Sequence, residues 1–257
     1  MKIQFASDLH LEFPENKQYL NNHPLEPEGE ILLLAGDIVP FGMMHHHKDF
    51  FKFLSDHFQK TYWIPGNHEY YHFDITEKPM ILKEDIRTNV HLVNNISLQS
   101  GNTRFLFTTL WSKIHPDKQL IENRLTDFQL IKYGRFRLSI ERYNELHHTC
   151  RDFLSAELDK EHSGETIIVS HHIPTFLHYP DEYKNSELNE AFAVELVDLI
   201  QEKQPDYWIY GHHHRNIPDF RIGKTRLITN QLGYIVLGEN HDFDPARTFQ
   251  INESANF

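Results

Sequence analysis

Five short runs of strand-forming residues in this chain each end in a cluster of side chains able to hold a metal ion, and no other feature constrains the fold as much. Lys2-Ile3-Gln4-Phe5-Ala6 leads to Asp8-Leu9-His10, Glu30-Ile31-Leu32-Leu33-Leu34-Ala35 to Gly36-Asp37, and Thr61-Tyr62-Trp63-Ile64-Pro65 to Gly66-Asn67-His68-Glu69. Later, Thr166-Ile167-Ile168-Val169 leads to Ser170-His171-His172, and Asp206-Tyr207-Trp208-Ile209-Tyr210 to Gly211-His212-His213-His214. The runs are short, apolar, β-branched or aromatic, the pattern of buried strands. In open α/β sheets, ligand-binding groups collect beyond the carboxyl ends of the strands. Five polar clusters at five such ends predict a single convergent site.

The segments between these runs fit an alternation of strand and helix. Strands are expected at 2–6, 30–36, 60–65, 90–93, 96–99, 103–108, 166–170 and 207–211, with helices near 47–58, 76–87 and 188–203. Gly101-Asn102 supplies a turn between two of the strands. Residues 119–158 read as mostly helical, broken near Tyr133-Gly134-Arg135, and the end of the chain reads as strands at 218–222, 225–229, 233–237 and 246–251. No internal repeat, low-complexity tract or linker interrupts the chain, so 1–257 is expected to form one domain, with 112–148 a candidate helical cap within it.

Composition narrows the partners. Apolar residues at 39% and aromatics at 13% suffice for a core, and no apolar stretch reaches the roughly 20 residues that span a bilayer, so no membrane partner is expected. The N-terminal residues run straight into a ligand-bearing strand, which argues against a cleavable signal. Cys150, the single cysteine, excludes an internal disulfide, fits a cytoplasmic location, and sits in a helical pattern as a buried thiol rather than a nucleophile. The net charge of -12 and the lack of a basic stripe argue against a nucleic-acid polymer as partner. Twenty histidines are not twenty ligands. Most have no partner at ligand spacing, and His45-His46-His47 reads as a solvated loop leading into a helix, although its place just beyond Asp37 keeps a substrate contact open.

Carboxylate, imidazole and amide oxygen together suit a hard-to-borderline divalent ion, and without thiolates a structural zinc finger is excluded. Asp8 and His10 share the one-residue gap of His212 and His214; on an extended chain leaving a sheet, each pair faces one way. A carboxylate such as Asp37 can bridge two ions roughly 3.5–4 Å apart.

The ordered series D-x-H, G-D, G-N-H-E, H-H and G-H-x-H resembles the calcineurin-like metallophosphoesterases over residues 8 to 214. The resemblance implies an α/β fold: a four-layer αββα sandwich of two mixed β-sheets flanked by helices, with a dinuclear metal site at the strand ends. It implies that Asp8, His10, Asp37 and His214 hold one ion and that Asp37, Asn67, His171 and His212 hold the other, with Asp37 shared. Manganese is the expected ion, with iron or zinc as other candidates. His68 is the implied catalytic residue, beside the ions and not bound to them. In phosphoryl transfer the ions neutralise phosphate oxygens and acidify a water, and His68 would protonate the leaving oxygen, with Glu69 orienting it or a ligand. The pattern favours His171 over His172 as ligand. His172 is left beside a ligand, facing substrate, or simply packed, and His213 is expected to point away.

Departures from known branches limit the substrate. Ile38-Val39-Pro40-Phe41 stands where protein Ser/Thr phosphatases carry an Asp-Arg pair, which disfavours that activity. Thr109-Leu110-Trp111-Ser112, Asn123-Arg124-Leu125-Thr126-Asp127-Phe128 and Asn230-Gln231-Leu232-Gly233-Tyr234 resemble a widespread bacterial branch of phosphohydrolases. From 112–148, His115, Asp127 and Arg135 are candidates to line the pocket. The expected function is hydrolysis of a phosphomonoester or phosphodiester in a small molecule, a nucleotide among the candidates. A nuclease and a non-catalytic metal-binding scaffold are the alternatives.

Overall fold

The computed structural model describes residues 1–115 and 118–251, so Pro116 and Asp117 of the 112–148 segment lie outside the described residues. The strands are β1 (Lys2–Ala6), β2 (Ile31–Ala35), β3 (Lys60–Ile64), β4 (Leu82–Arg87), β5 (Val90–Asn94), β6 (Ile96–Ser100), β7 (Thr103–Thr108), β8 (Lys132–Tyr133), β9 (Phe136–Arg137), β10 (Glu165–Ser170), β11 (Tyr207–Tyr210), β12 (Phe220–Ile222), β13 (Thr225–Thr229) and β14 (Thr248–Gln250). They form two six-stranded mixed sheets, ordered β14-β1-β2-β3-β5-β4 and β12-β13-β11-β10-β7-β6, while β8 and β9 pair in a small hairpin. Helices α1 (Pro14–Asn22), α2 (Lys48–His57), α3 (Gln119–Arg124), α4 (Thr126–Leu130), α5 (Ile140–Leu158) and α6 (Val197–Lys203) flank the sheets. This is the expected αββα sandwich.

The period-two alternation of strand side chains explains why the runs are apolar throughout. Ile3, Phe5, Leu33 and Ile64 of the first sheet pack on Phe105, Phe107, Val169 and Ile209 of the second, making the inner core. The intervening residues Leu32, Leu34, Trp63, Leu106, Ile168 and Trp208 turn outward and are covered by the helical layers. Burying each such side chain contributes about 1.5–3 kcal/mol. Parallel pairing holds the strand ends level: Leu34 is in register with Ala6 and Trp63, and Val169 with Phe107 and Ile209. The loops that leave β1, β2, β3, β10 and β11 therefore emerge on one rim.

The fold departs from the sequence-based expectation at four places. Residues 76–87 are not a helix: Ile75–Glu77 makes one 3₁₀ turn, and β4 pairs antiparallel with β5 at the sheet edge. Its charges, Lys83, Glu84, Asp85 and Arg87, belong to an edge strand exposed to water. Of 188–203, only Val197–Lys203 is α-helical, because Ala193 bridges to Ile173 and Val194 N donates to Ile173 O at 2.9 Å, drawing this stretch across the end of β10. Residues 233–237 form a 3₁₀ turn at Ile235–Leu237 instead of a strand, after Gly233 with φ +70°. Helix α1, which opens with Pro14 in its first turn, was not expected from the pattern. Among the described residues, no helix is long and apolar enough to cross a membrane.

Candidate metal centre

All seven candidate ligands lie in loops immediately beyond their strands, and all are buried. Their convergence does not come from alternation along an extended chain. Asp8, His10, Asp37, His212 and His214 have φ of 56°, 48°, 56°, 85° and 56°, a left-handed conformation that strains side chains bearing a Cβ by about 1–3 kcal/mol each. Ladder bonds that continue past the strands hold it in place. Asp8 N and His10 N donate to Gly36 O and Asp37 O, both at 3.0 Å, and Gly211 N donates to His171 O at 3.0 Å. The glycines of the motifs have a steric cause. A Cβ on Gly66 would stand 2.2 Å from Asp37 Oδ1, and one on Gly36, itself at φ +89°, would stand 2.4 Å from His171 Nδ1.

The ring nitrogens identify the donor atoms. His10 Nδ1 faces Glu12 Oε1 at 3.1 Å and His214 Nδ1 faces Glu239 Oε2 at 2.8 Å. A carboxylate only accepts, so both rings carry their proton on Nδ1. Their two bare Nε2 atoms then face each other at 2.9 Å, with Asp8 Oδ1 3.5 Å from His214 Nε2 and Asp37 Oδ2 3.8 Å from His10 Nε2. The second group repeats this logic. His171 Nδ1 donates to Ala35 O at 2.8 Å and His212 Nε2 to Ala191 O at 3.4 Å. That leaves His171 Nε2 facing His212 Nδ1 at 3.0 Å, Asn67 Oδ1 at 3.1 Å and Asp37 Oδ2 at 3.4 Å. Lone pairs pointed at one another repel unless a cation lies among them, so the donor set fits two metal ions with Asp37 Oδ2 common to both. A proton answers the same demand. Burial opposes charge on His171 and His214, yet Asp37 and Asp8 hold their pKa values up at about 9 and about 10.

The orienting groups were mostly not apparent in the sequence. Asn67 Nδ2 donates to Asp127 Oδ1 at 2.8 Å, as does Tyr71 OH, which turns the Asn67 amide oxygen toward His171. Of the three candidates from 112–148, only Asp127 reaches the site. His115 is exposed, with its backbone N–H donating to Glu190 at 2.7 Å, and Arg135 lies over the Phe136 ring. His68 Nδ1 donates to Glu12 Oε1 at 2.8 Å, and its Nε2 is 3.3 Å from Tyr234 OH. Glu12, not Glu69, is thus the carboxylate on His68. Burial raises the Glu12 pKa, but His10 and His68 pull it down to about 2. Glu69 instead accepts from Asp37 N, Ile38 N, Trp63 Nε1 and Gly66 N at 2.7–3.0 Å. His172 bonds Tyr143 OH at 3.1 Å and packs behind the His212 ring, 4.3 Å away. His213 turns to Gln231, whose Oε1 also fixes His214 N at 2.7 Å. His45 and His46 are exposed and His47 is buried, and none of the three lines the central cavity. Glu12 stands two places after His10 without any local signal, and Glu239 lies 25 residues beyond His214. Asp127, Gln231 and Tyr234 fell within segments singled out by resemblance, without the roles the structure shows.

A cavity of about 330 Å³ opens over Asp37, Asn67, His68, His212 and His214, and Tyr179, Tyr183 and Phe192 form its far wall.

This geometry agrees with relationships visible across the whole chain. Residues 1–216 match the calcineurin-like phosphoesterase family, and the protein belongs to that family, metal-dependent phosphoester hydrolases that typically bind two metal ions. It is 30% identical to an uncharacterized protein of Acanthamoeba polyphaga mimivirus, over 98% of this chain and 97% of the relative. It is 25% identical to a 3′,5′-cyclic-nucleotide phosphodiesterase of Nostoc sp., over 74% of this chain and 58% of that protein. Among solved structures, the phosphopantetheinyl hydrolase of Mycobacterium tuberculosis superposes with a TM-score of 0.67 at 18% identity, over 100% of this chain and 97% of that one.

Proposed function

We propose that the protein hydrolyses a phosphomonoester or phosphodiester bond in a small molecule, a nucleotide among the candidates. The observation that carries this reading is the set of bare nitrogen and oxygen atoms around Asp37 Oδ2, facing a cavity of small-molecule size. Asp8, His10, Asp37 and His214 would hold one ion, and Asp37, Asn67, His171 and His212 the other. When bound, two divalent ions neutralise charge on the phosphate oxygens and supply an acidified water as nucleophile. Manganese is the first choice to test, with iron and zinc next, since donor type alone does not rank them.

The protein's own groups position and protonate. Asp127 orients the Asn67 amide, and Glu12 and Glu239 fix the rings of His10 and His214. Imidazole partners of this kind set tautomer and basicity. With Nδ1 held by Glu12, His68 presents Nε2–H toward the cavity beside Tyr234 OH, where it can give a proton to the leaving oxygen. Burial opposes charge on His68, while Asp37 and Glu12 outweigh it and raise its pKa, favouring the proton-bearing form.

The test is a screen of metal-loaded protein against bis-p-nitrophenyl phosphate, p-nitrophenyl phosphate and a cyclic-nucleotide panel. Turnover that depends on added metal is expected, and none with any metal would sink the enzyme reading. His68→Ala should keep full metal content and lose roughly 10²–10⁴-fold in kcat. If its metal content falls as well, His68 is a ligand.

A further inference from the structure

What the phosphate group is attached to is limited by the charge of the cavity walls. Every Lys and Arg of the chain lies among the described residues, since 116–117 and 252–257 contain none, and not one lines the cavity. The nearest cations along the chain lie outside the lining, although Arg215 stands over the ring of Tyr183 in the cavity wall and, against the rise from burial, helps His214 to lower the pKa of Glu239. Arg215 pairs with Glu182 at 2.5 Å, Lys184 pairs with Asp181 at 2.5 Å, and Arg124 is exposed. Asp37, Asp127 and Glu239 line the cavity, Asp8 is a further candidate ligand beside His214, and Glu12 stands behind His10 and His68. Two divalent ions would bring four positive charges against these five carboxylates, so the balance is already negative and an anionic group not bound directly to the ions would meet no net positive charge. A second anionic group would have to be desolvated beside Asp127 or Glu239 with no Lys or Arg among the lining residues to pair with, an unfavourable placement for a buried charge.

The remaining wall is apolar and largely aromatic. Tyr71, Leu125, Tyr179, Tyr183, Leu188 and Phe192 face the space beyond the candidate ligands, and Phe192 already stacks on the His212 ring with centroids 4.7 Å apart. Such surfaces favour flat or apolar groups, which they cover without needing charge.

Building on the phosphoesterase reading, we infer that the substrate carries one phosphate group on an otherwise uncharged, flat or apolar organic part, a nucleoside or an aryl alcohol by chemistry, and that the cavity rejects a second anionic group. A matched pair tests this with manganese-loaded protein: thymidine 5′-(p-nitrophenyl phosphate) and the same ester bearing a 3′-phosphate. The added phosphate should lower kcat/KM at least tenfold. Calorimetry on manganese-loaded His68→Ala, expected to keep its metal and lose most of its turnover, gives a binding readout, with thymidine 3′,5′-bisphosphate expected to bind at least tenfold more weakly than thymidine 5′-phosphate. Ser186→Arg, which places a cation at the exposed mouth, should narrow both gaps. Equal or better turnover of the 3′-phosphorylated ester overturns the inference while leaving the phosphoesterase reading intact. Gaps that Ser186→Arg does not change trace the discrimination to size and overturn it too. Failure of both esters and of bis-p-nitrophenyl phosphate with every metal overturns the phosphoesterase reading and this inference with it.

Discussion

At the scale of single residues, the motif glycines are as constrained as the ligands. Gly66 leaves room for Asp37 Oδ1 at 2.2 Å and His171 Nε2 at 2.7 Å from where a Cβ would sit, and neither atom belongs to a flexible chain end. Gly66→Ala should therefore keep the fold by circular dichroism but weaken metal binding at least tenfold in a metal titration, because the shift falls on the shared carboxylate. Unchanged binding would mean that the loop yields at little cost. Away from the site, His147 is buried at 1% exposure, with Nδ1 donating to Trp111 O at 2.7 Å. Burial, with His148, Arg151 and Lys113 nearby, lowers its pKa from 6.5 to about 4. The fold thus favours the neutral ring, and between those two values the unfolded chain binds more protons than the folded one. Stability should fall as pH drops through that window, by about 3 kcal/mol in total, and this contribution should be constant above it. His147→Asn, which retains a donor toward Trp111 O and cannot titrate there, should flatten that part of the urea-midpoint profile. An identical profile in the variant would show that other groups carry the acid sensitivity. The convergence of the candidate ligands was legible in the sequence because each ends a strand run. Glu12, Asp127 and Glu239 were not legible as orienting groups, because their partners are set by loop paths that no local pattern encodes.

At the scale of elements, the loop after β2 and the 3₁₀ turn His68–Tyr70 after β3 are joined through one carboxylate. Glu69 accepts from three N–H groups of Asp37, Ile38 and Gly66 and from Trp63 Nε1. Burial and the nearby Asp37 push its pKa up to about 8, against the pull of those donors. Glu69→Gln would turn an amide NH₂ toward N–H donors and leave them unpaired, a loss of about 2–4 kcal/mol. The urea midpoint of the metal-free variant, measured above pH 8 where the wild-type carboxylate is ionised, should fall accordingly, and a stability within experimental error of wild type there would show that the two loops do not depend on this contact. Its sequence position suggested a helper of His68, but the turn places it against backbone. Similar tertiary preferences explain the other misreadings. The charged stretch Lys83 to Arg87 has a helical composition but completes a sheet edge against β5. Residues 189–194 have helical spacing but are drawn into a bridge with Ile173. In both cases long-range pairing decided the conformation, whereas the inner strands, apolar on both faces, admitted only one assignment.

At the scale of the whole molecule, the candidate centre takes ligands from both sheets. Asp8, His10, Asp37 and Asn67 follow strands of the first sheet, and His171, His212 and His214 follow strands of the second. Each group is mixed: Asp8, His10 and Asp37 meet His214, and Asp37 meets His171 and His212. Ions bound there would cross-link the two layers at the rim, where the inner apolar core gives way to buried carboxylates and imidazoles. Binding confined to the folded state stabilises it by mass action, about 4 kcal/mol per site at a thousandfold excess over Kd. Chelator-treated protein should therefore unfold at a lower Tm, and added manganese should restore Tm progressively with concentration. His214→Ala removes the candidate ligand that the second sheet gives to the first group, so it should lose a large share of the manganese-induced rise. Stripped of metal, it should also melt below wild type, because protonated His214 is then the counter-charge of buried Asp8 and the alanine removes it. A manganese response that survives intact in His214→Ala would place the ion elsewhere, while a metal-free variant that melts together with metal-free wild type would show that the His214 ring is not the counter-charge of Asp8 in the absence of an ion.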